Sequence, residues 1–213
     1  MPSLAAFITV FAVVLATLGL TEAREAPDAA TAPAPEQSLD RIEAYLNDLD
    51  SLRASFVQIA PNGSTSTGTL LYERPDKMRL DYDPPSELLI IANGWQLVYH
   101  DRRLDQVSHL FTSSTPLAFL LKEVVRLEGE VTVTNFERQA GELRVTLIET
   151  DEPAEGQITL VFSEDPLELR RWTVIDPQGL TTHVVLEEIQ TDVPLDDALF
   201  VWRNPDPFPE LRP

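Results

Sequence analysis

The sequence predicts a mainly β protein with a few short helices, built on a curled antiparallel sheet of about ten or eleven strands. Three observations lead there. Only one segment after the N-terminal region, residues 38–49, carries a strong helical period. From Leu52 onward, apolar residues recur at every second position in short runs. Those runs are joined by tight-turn chemistry rather than by long helical crossovers, which favours antiparallel neighbours over βαβ units.

The chain opens with 21 residues that carry no charged side chain, and Leu4 to Leu20 form an apolar run. Thr21 and Ala23 then place small residues three and one before a cut after Ala23. This pattern predicts a secretory signal peptide over residues 1–23, although no Lys or Arg precedes the run. The alternative is an uncleaved membrane anchor, for which the run is short: a span needs about 20 apolar residues. Residues 24–37 are rich in Ala and Pro and lack any large apolar side chain, so they read as a flexible leader. The last ten residues, 204–213, hold four prolines and read as an irregular tail.

Residues 38–203 form the predicted folded domain. Ser38 is a candidate N-cap. Leu39, Ile42, Leu46 and Leu49 follow at helical spacing, with Asp40, Arg41, Glu43, Asn47 and Asp48 on the other face. Alternation then starts, with Leu52, Ala54 and Phe56 against Arg53, Ser55 and Val57. Strands are expected at residues 67–74, 77–82, 87–92, 96–100 and 105–110. The separating turns hold Pro75-Asp76, Asp83-Pro84-Pro85, Asn93-Gly94 and Asp101-Arg102-Arg103. Pro116 at a first helical position suggests a second helix over residues 116–123. Strands resume at residues 131–138, 143–149, 157–162, 169–176, 180–189 and 199–202. A sheet this long must curl or split. Curling with helices on the concave side gives a half-barrel with a lid, and a split sandwich competes with it.

Composition excludes several functions. With 35 acidic and 16 basic residues the net charge is −19, which repels nucleic acid and anionic headgroups and favours a basic docking partner. The chain has no cysteine, so disulfides, thiolate metal sites and a lipid-modified N-terminal cysteine are all excluded. No catalytic signature is present. His100, His109 and His183 lack metal-ligand spacing and read as strand-surface histidines. Asp192, Asp196 and Asp197 lack the glycine and terminal glutamate of a calcium loop. The expectation is no enzyme, no metal and no cofactor.

Residues 39–121 carry motifs in a telling order. After the amphipathic helix come L-R-A-S-F-V-Q from Leu52, G-T-L-L-Y-E-R-P from Gly68 and K-M-R-L-D-Y from Lys77. I-I-A-N-G-W-Q-L-V-Y-H-D from Ile90 and T-P-L-A-F-L-L from Thr115 complete the run, and F-V-W-R-N-P from Phe200 closes the chain's folded part. In order and spacing this resembles the LolA family of periplasmic lipoprotein carriers. Three positions depart from the family pattern: Leu80 stands for a tryptophan, Asn93 for an aspartate and Met78 for a phenylalanine.

The resemblance implies a half-open barrel under a helical lid, located in the periplasm, that binds the acyl chains of triacylated lipoproteins. It implies passage from an inner-membrane lipoprotein-releasing ABC transporter to an outer-membrane acceptor, by a monomer. It makes Arg74 a lid latch, reaching carbonyls at the ends of the lid helices. It makes Leu39, Ile42, Leu46, Leu49, Phe56, Leu70, Tyr72, Leu117, Leu120 and Leu121 the cavity and lid, which ordinary core packing would also explain. Met78 falls near the rim that engages the transporter, or else in the core. A hydrophobic-ligand sensor of the same fold, without cargo transfer, is the alternative function.

Overall fold

The computed structural model describes residues 34–203; the predicted signal peptide, residues 24–33 of the predicted leader and the tail lie outside the described residues, while residues 35–37, read as leader, belong to the helix. One helix, α1 (Pro35–Asp48), precedes eleven strands. These are β1 (Ser51–Ile59), β2 (Thr65–Glu73), β3 (Lys77–Tyr82), β4 (Leu88–Asn93), β5 (Gln96–Asp101) and β6 (Gln106–Phe111). After two short 3-10 turns, Thr112–Ser114 and Ala118–Leu121, come β7 (Val131–Gln139), β8 (Glu142–Glu149), β9 (Gln157–Glu164), β10 (Leu167–Ile175) and β11 (Thr181–Thr191).

All eleven strands form a single antiparallel sheet, ordered β6-β5-β4-β3-β2-β1-β11-β10-β9-β8-β7. The first strand is central, and two meanders run outward from it to open edges at β6 and β7. The split sandwich is therefore not what forms. Register aligns one apolar face across both wings. Leu52 faces Tyr72 and Tyr72 faces Met78; Phe56 faces Gly68 and Leu186. Further out, Trp172 faces Leu160, and Leu160 faces Val145. Leu143, Val145, Leu147, Leu160 and Phe162 are each 0% exposed. A flat sheet under one helix would leave that face wet, so the sheet curls around its own side chains.

Gly68 shows how tight the curl is. A Cβ there would lie 2.3 Å from the Asp81 carbonyl oxygen and 2.7 Å from the Phe56 ring. The ring packs edge-on to Tyr82 at 4.9 Å between centroids, filling the space that a side chain at Gly68 would need.

The outer face carries a second, smaller core. Leu71, Leu89 and Ile91 pack under Phe200, with Leu195 and Trp202 against them. Residues 195–202 thus strap the outside of the N-terminal wing. Lys77 pairs with Asp197 at 2.5 Å, and Arg79 donates to the Leu199 carbonyl at 2.9 Å.

Three predicted elements come out differently. The helix starts at Pro35, so Ser38 is not its cap: its hydroxyl bonds back to the Ala34 carbonyl from inside the first turn. The second helix is only the 3-10 turn Ala118–Leu121, because Phe119, Leu120 and Leu121 are all buried and no α-helical turn buries three successive side chains on one side. Residues 199–202 are not a strand: Asp197–Phe200 is a 3-10 turn, and its carbonyls go to side chains of the sheet.

Candidate functional site

Helix α1 lies over the inner face and buries Ser38, Ile42 and Leu46 along one side. Beneath it is a cavity of about 40 Å³. Leu46 and Leu49 form its helical wall, and Leu52, Leu70, Tyr72 and Met78 its wall on β1 to β3. Leu169, Trp172 and Leu186 come from the other wing, and Leu117, Leu120 and Leu121 close it from the turn. Except for the Tyr72 hydroxyl and the Trp172 indole N–H, the lining side chains are hydrocarbon or thioether.

The sequence-predicted residues converge here. Leu46, Leu49, Leu70, Tyr72, Leu117, Leu120 and Leu121 line the cavity together. Ile42 and Phe56 are buried in the same core, and Leu39 packs half-buried against it, all away from the cavity wall. Met78 is 7% exposed and faces the cavity, so it offers no outer surface at a rim. Its flexible thioether instead suits a wall that meets variable shapes.

Polar groups bind the cover to the sheet at its edges. Arg74, half-buried at the end of β2, donates to the Asn47 side-chain oxygen at 3.2 Å and also to the Asn47 carbonyl at the helix C-terminus. That carbonyl is one of the four a helix end leaves unpaired, and it carries the negative end of the helix dipole. The Tyr72 hydroxyl donates to the Leu120 carbonyl at 2.6 Å. Burial pushes that phenol well above its usual range, so it stays a donor at any physiological pH. The Asp76 N–H donates to the Leu121 carbonyl at 2.7 Å. At the other end of α1, Arg138 donates to the Ser38 hydroxyl at 2.6 Å, and in the last turn the Leu169 N–H donates to the Tyr45 hydroxyl at 3.2 Å.

The family whose model carries the description outer membrane lipoprotein carrier protein LolA matches residues 47–203. This chain belongs to the LolA family. An outer-membrane lipoprotein carrier protein of Methylococcus capsulatus is 27% identical over 174 residues, covering 78% of this chain and 83% of the relative. An uncharacterised protein of Rickettsia prowazekii is 24% identical over 170 residues, covering 80% and 78%. The crystal structure of a LolA superfamily protein from Nitrosomonas europaea aligns with a TM-score of 0.44 at 13% identity, over 77% of this chain and 97% of that one.

Sequence reasoning missed two features. Glu43 and Asn47, assigned to the polar face of α1, accept hydrogen bonds from the Leu127 and Val125 N–H groups, each at 2.9 Å. Their i, i+4 spacing on one face was the available signal. His100, expected on a strand surface, is instead 6% exposed on the outer face. The Trp202 ring stands edge-on to His100 and His109, and its N–H donates to His100 Nδ1 at 3.4 Å. Among the described residues no group of three or more His, Cys, Asp or Glu could hold a metal ion, and no helix is long and apolar enough to cross a membrane.

Proposed function

We propose that this protein is a periplasmic carrier, without catalytic activity, that takes the acyl chains of lipoproteins into the cavity beneath α1. It receives them at the inner membrane and delivers them to the outer membrane. The observation that carries the reading is an apolar cavity covered by an element held to the sheet through a few side-chain contacts. Exposing an acyl chain to water costs about 0.8 kcal/mol per methylene. A cargo with several long chains therefore faces a barrier on the order of tens of kcal/mol without a shield.

A cavity of about 40 Å³ holds roughly one water molecule, far less than one long acyl chain. Loading therefore requires the cover to lift. The hydrogen bonds from Arg74 to Asn47 are the latch: they favour the closed, empty state and so compete with bound chains. An inner-membrane ABC transporter would supply the work of loading, and an outer-membrane acceptor would receive the cargo. The acidic surface favours docking on basic surfaces of both, with affinity that falls as salt rises.

Mass spectrometry of material co-purified from periplasm tests the reading. Triacylated lipoproteins bound at one equivalent or less are the expected result. A free lipid or other small apolar ligand, with no lipoprotein, would replace the carrier by a hydrophobic-ligand sensor.

A further inference from the structure

We propose that Asn47 is a clasp that joins α1 and residues 125–127 into one moving piece, so that the cover opens as a unit. This rests on the carrier reading for its purpose but not for its geometry. The Asn47 side-chain amide donates to the Val125 carbonyl at 2.8 Å, and its oxygen accepts from the Val125 N–H at 2.9 Å. One side chain thus satisfies both backbone groups of one residue, as a neighbouring strand would. Four residues earlier on the helix, Glu43 accepts from the Leu127 N–H at 2.9 Å. Val125 is 0% exposed and Leu127 is 7% exposed.

The chain on either side of this segment is different. Residues 122–124 and 128–130 are exposed, and Gly129 sits at φ +83°. Upstream, Leu120 and Leu121 are bonded to Tyr72 and Asp76 of the sheet side, not to the helix. Lifting α1 alone would break all three hydrogen bonds to residues 125–127. Lifting the two together breaks none of them, and bending falls on the exposed joints. Asn47 also receives Arg74, on its side-chain oxygen and on its carbonyl, so latch and clasp meet at one residue. Releasing Arg74 removes a hold shared by both parts of the cover, while the bonds of Arg138 to Ser38 and of Leu169 to Tyr45 still hold the helix.

Native-state hydrogen exchange on the full chain without ligand tests this. The Val125 and Leu127 amides should share the exchange rate and denaturant dependence of the Ile42 and Leu46 amides. The Asp76 amide, which reports the turn's hold on the sheet, should exchange separately. The decisive readout is the cross-effect. Asn47→Ala should speed exchange at Leu127, which bonds to Glu43, and Glu43→Ala should speed it at Val125, which bonds to Asn47, each by about tenfold. Glu43→Gln keeps an acceptor and should restore wild-type protection. If Val125 and Leu127 follow Asp76 in the wild type, or each variant affects only its own bonded amide, the single-piece cover is wrong. Adding a tripalmitoylated peptide separates this from the carrier reading. If that peptide does not bind, the carrier reading falls while the exchange data still decide the clasp.

Discussion

The two elements that cover the inner face, α1 and the 3-10 turn Ala118–Leu121, are held by opposite means. Helix α1 satisfies most of its own backbone. Its attachments to the sheet are side chains: Ile42 and Leu46 below, Arg138 on Ser38 at one end, and Arg74 at the other. The turn is too short for that. Its Leu120 and Leu121 carbonyls depend on the Tyr72 hydroxyl and the Asp76 N–H. An element that pairs its own backbone can leave a surface at the cost of its side-chain contacts, whereas one that borrows its partners orphans them. In the proposed carrier the helix is accordingly the mobile cover, and the turn is part of the fixed wall. The helix also bridges the wings, since Arg138 lies on β7 and Arg74 follows β2.

The sharpest way to break this contrast is through the helix's packing. Ile42→Ala should cost about 2–5 kcal/mol in denaturant unfolding, because Ile42 is 0% exposed. A loss below about 1 kcal/mol would mean that α1 is not packed in solution. Arg74→Leu comes next. It removes charge-assisted bonds worth about 1.5–3 kcal/mol, so the domain should fold while the closed state weakens by roughly ten- to a hundredfold. Cargo release in a transfer assay should slow, since closure no longer competes with the acyl chains; an unchanged rate would rule out the latch. Tyr72→Phe acts on the turn. It should cost about 1–2 kcal/mol of stability with less effect on release than Arg74→Leu. The reverse order of release effects would make the turn the moving part.

Much of this was legible in the sequence, and the exceptions have physical causes. Strand β3 runs from Lys77 to Tyr82 as predicted, because clean alternation is bounded on both sides by proline turns. The Arg74 contact was legible through the resemblance, and Arg74 stands at even spacing from Leu70 and Tyr72. Thr115-Pro116 before an apolar run looked like a helix start, but three consecutive buried side chains fit a tight turn better than an amphipathic helix. Residues 199–202 have strand composition, yet Arg79 and Asn93 side chains take the Leu199 and Phe200 carbonyls that a ladder would use. Beyond its i, i+4 spacing with Glu43, the role of Asn47 was hidden because its partner, Val125, is 78 residues away and lies past the motifs of residues 39–121.

The outer face supplies the smallest effect and a control. Burial alone would raise the Asp81 carboxyl, but bonds from Arg102 and Arg79 outweigh it and hold the group below the usual aspartate range. A carboxyl lowered on folding adds stability above the unfolded-state value and loses it as pH falls through the folded value. The melting temperatures of wild type and Asp81→Asn should therefore differ at pH 7 and converge in acid below the ordinary aspartate range. Cargo release should be the same in both, since Asp81 lies across the sheet from α1; altered release would tie the outer strap to the cover.

The central claim is that acyl chains occupy the space under α1, and a photo-crosslinker at Leu46 tests it most directly. Leu46 is 2% exposed and lines the cavity. Illumination of the loaded protein should join the probe to the acyl chains of a triacylated lipoprotein, while a probe at Leu71 on the outer face should capture none. Lipid capture at Leu71 with none at Leu46 would contradict the account.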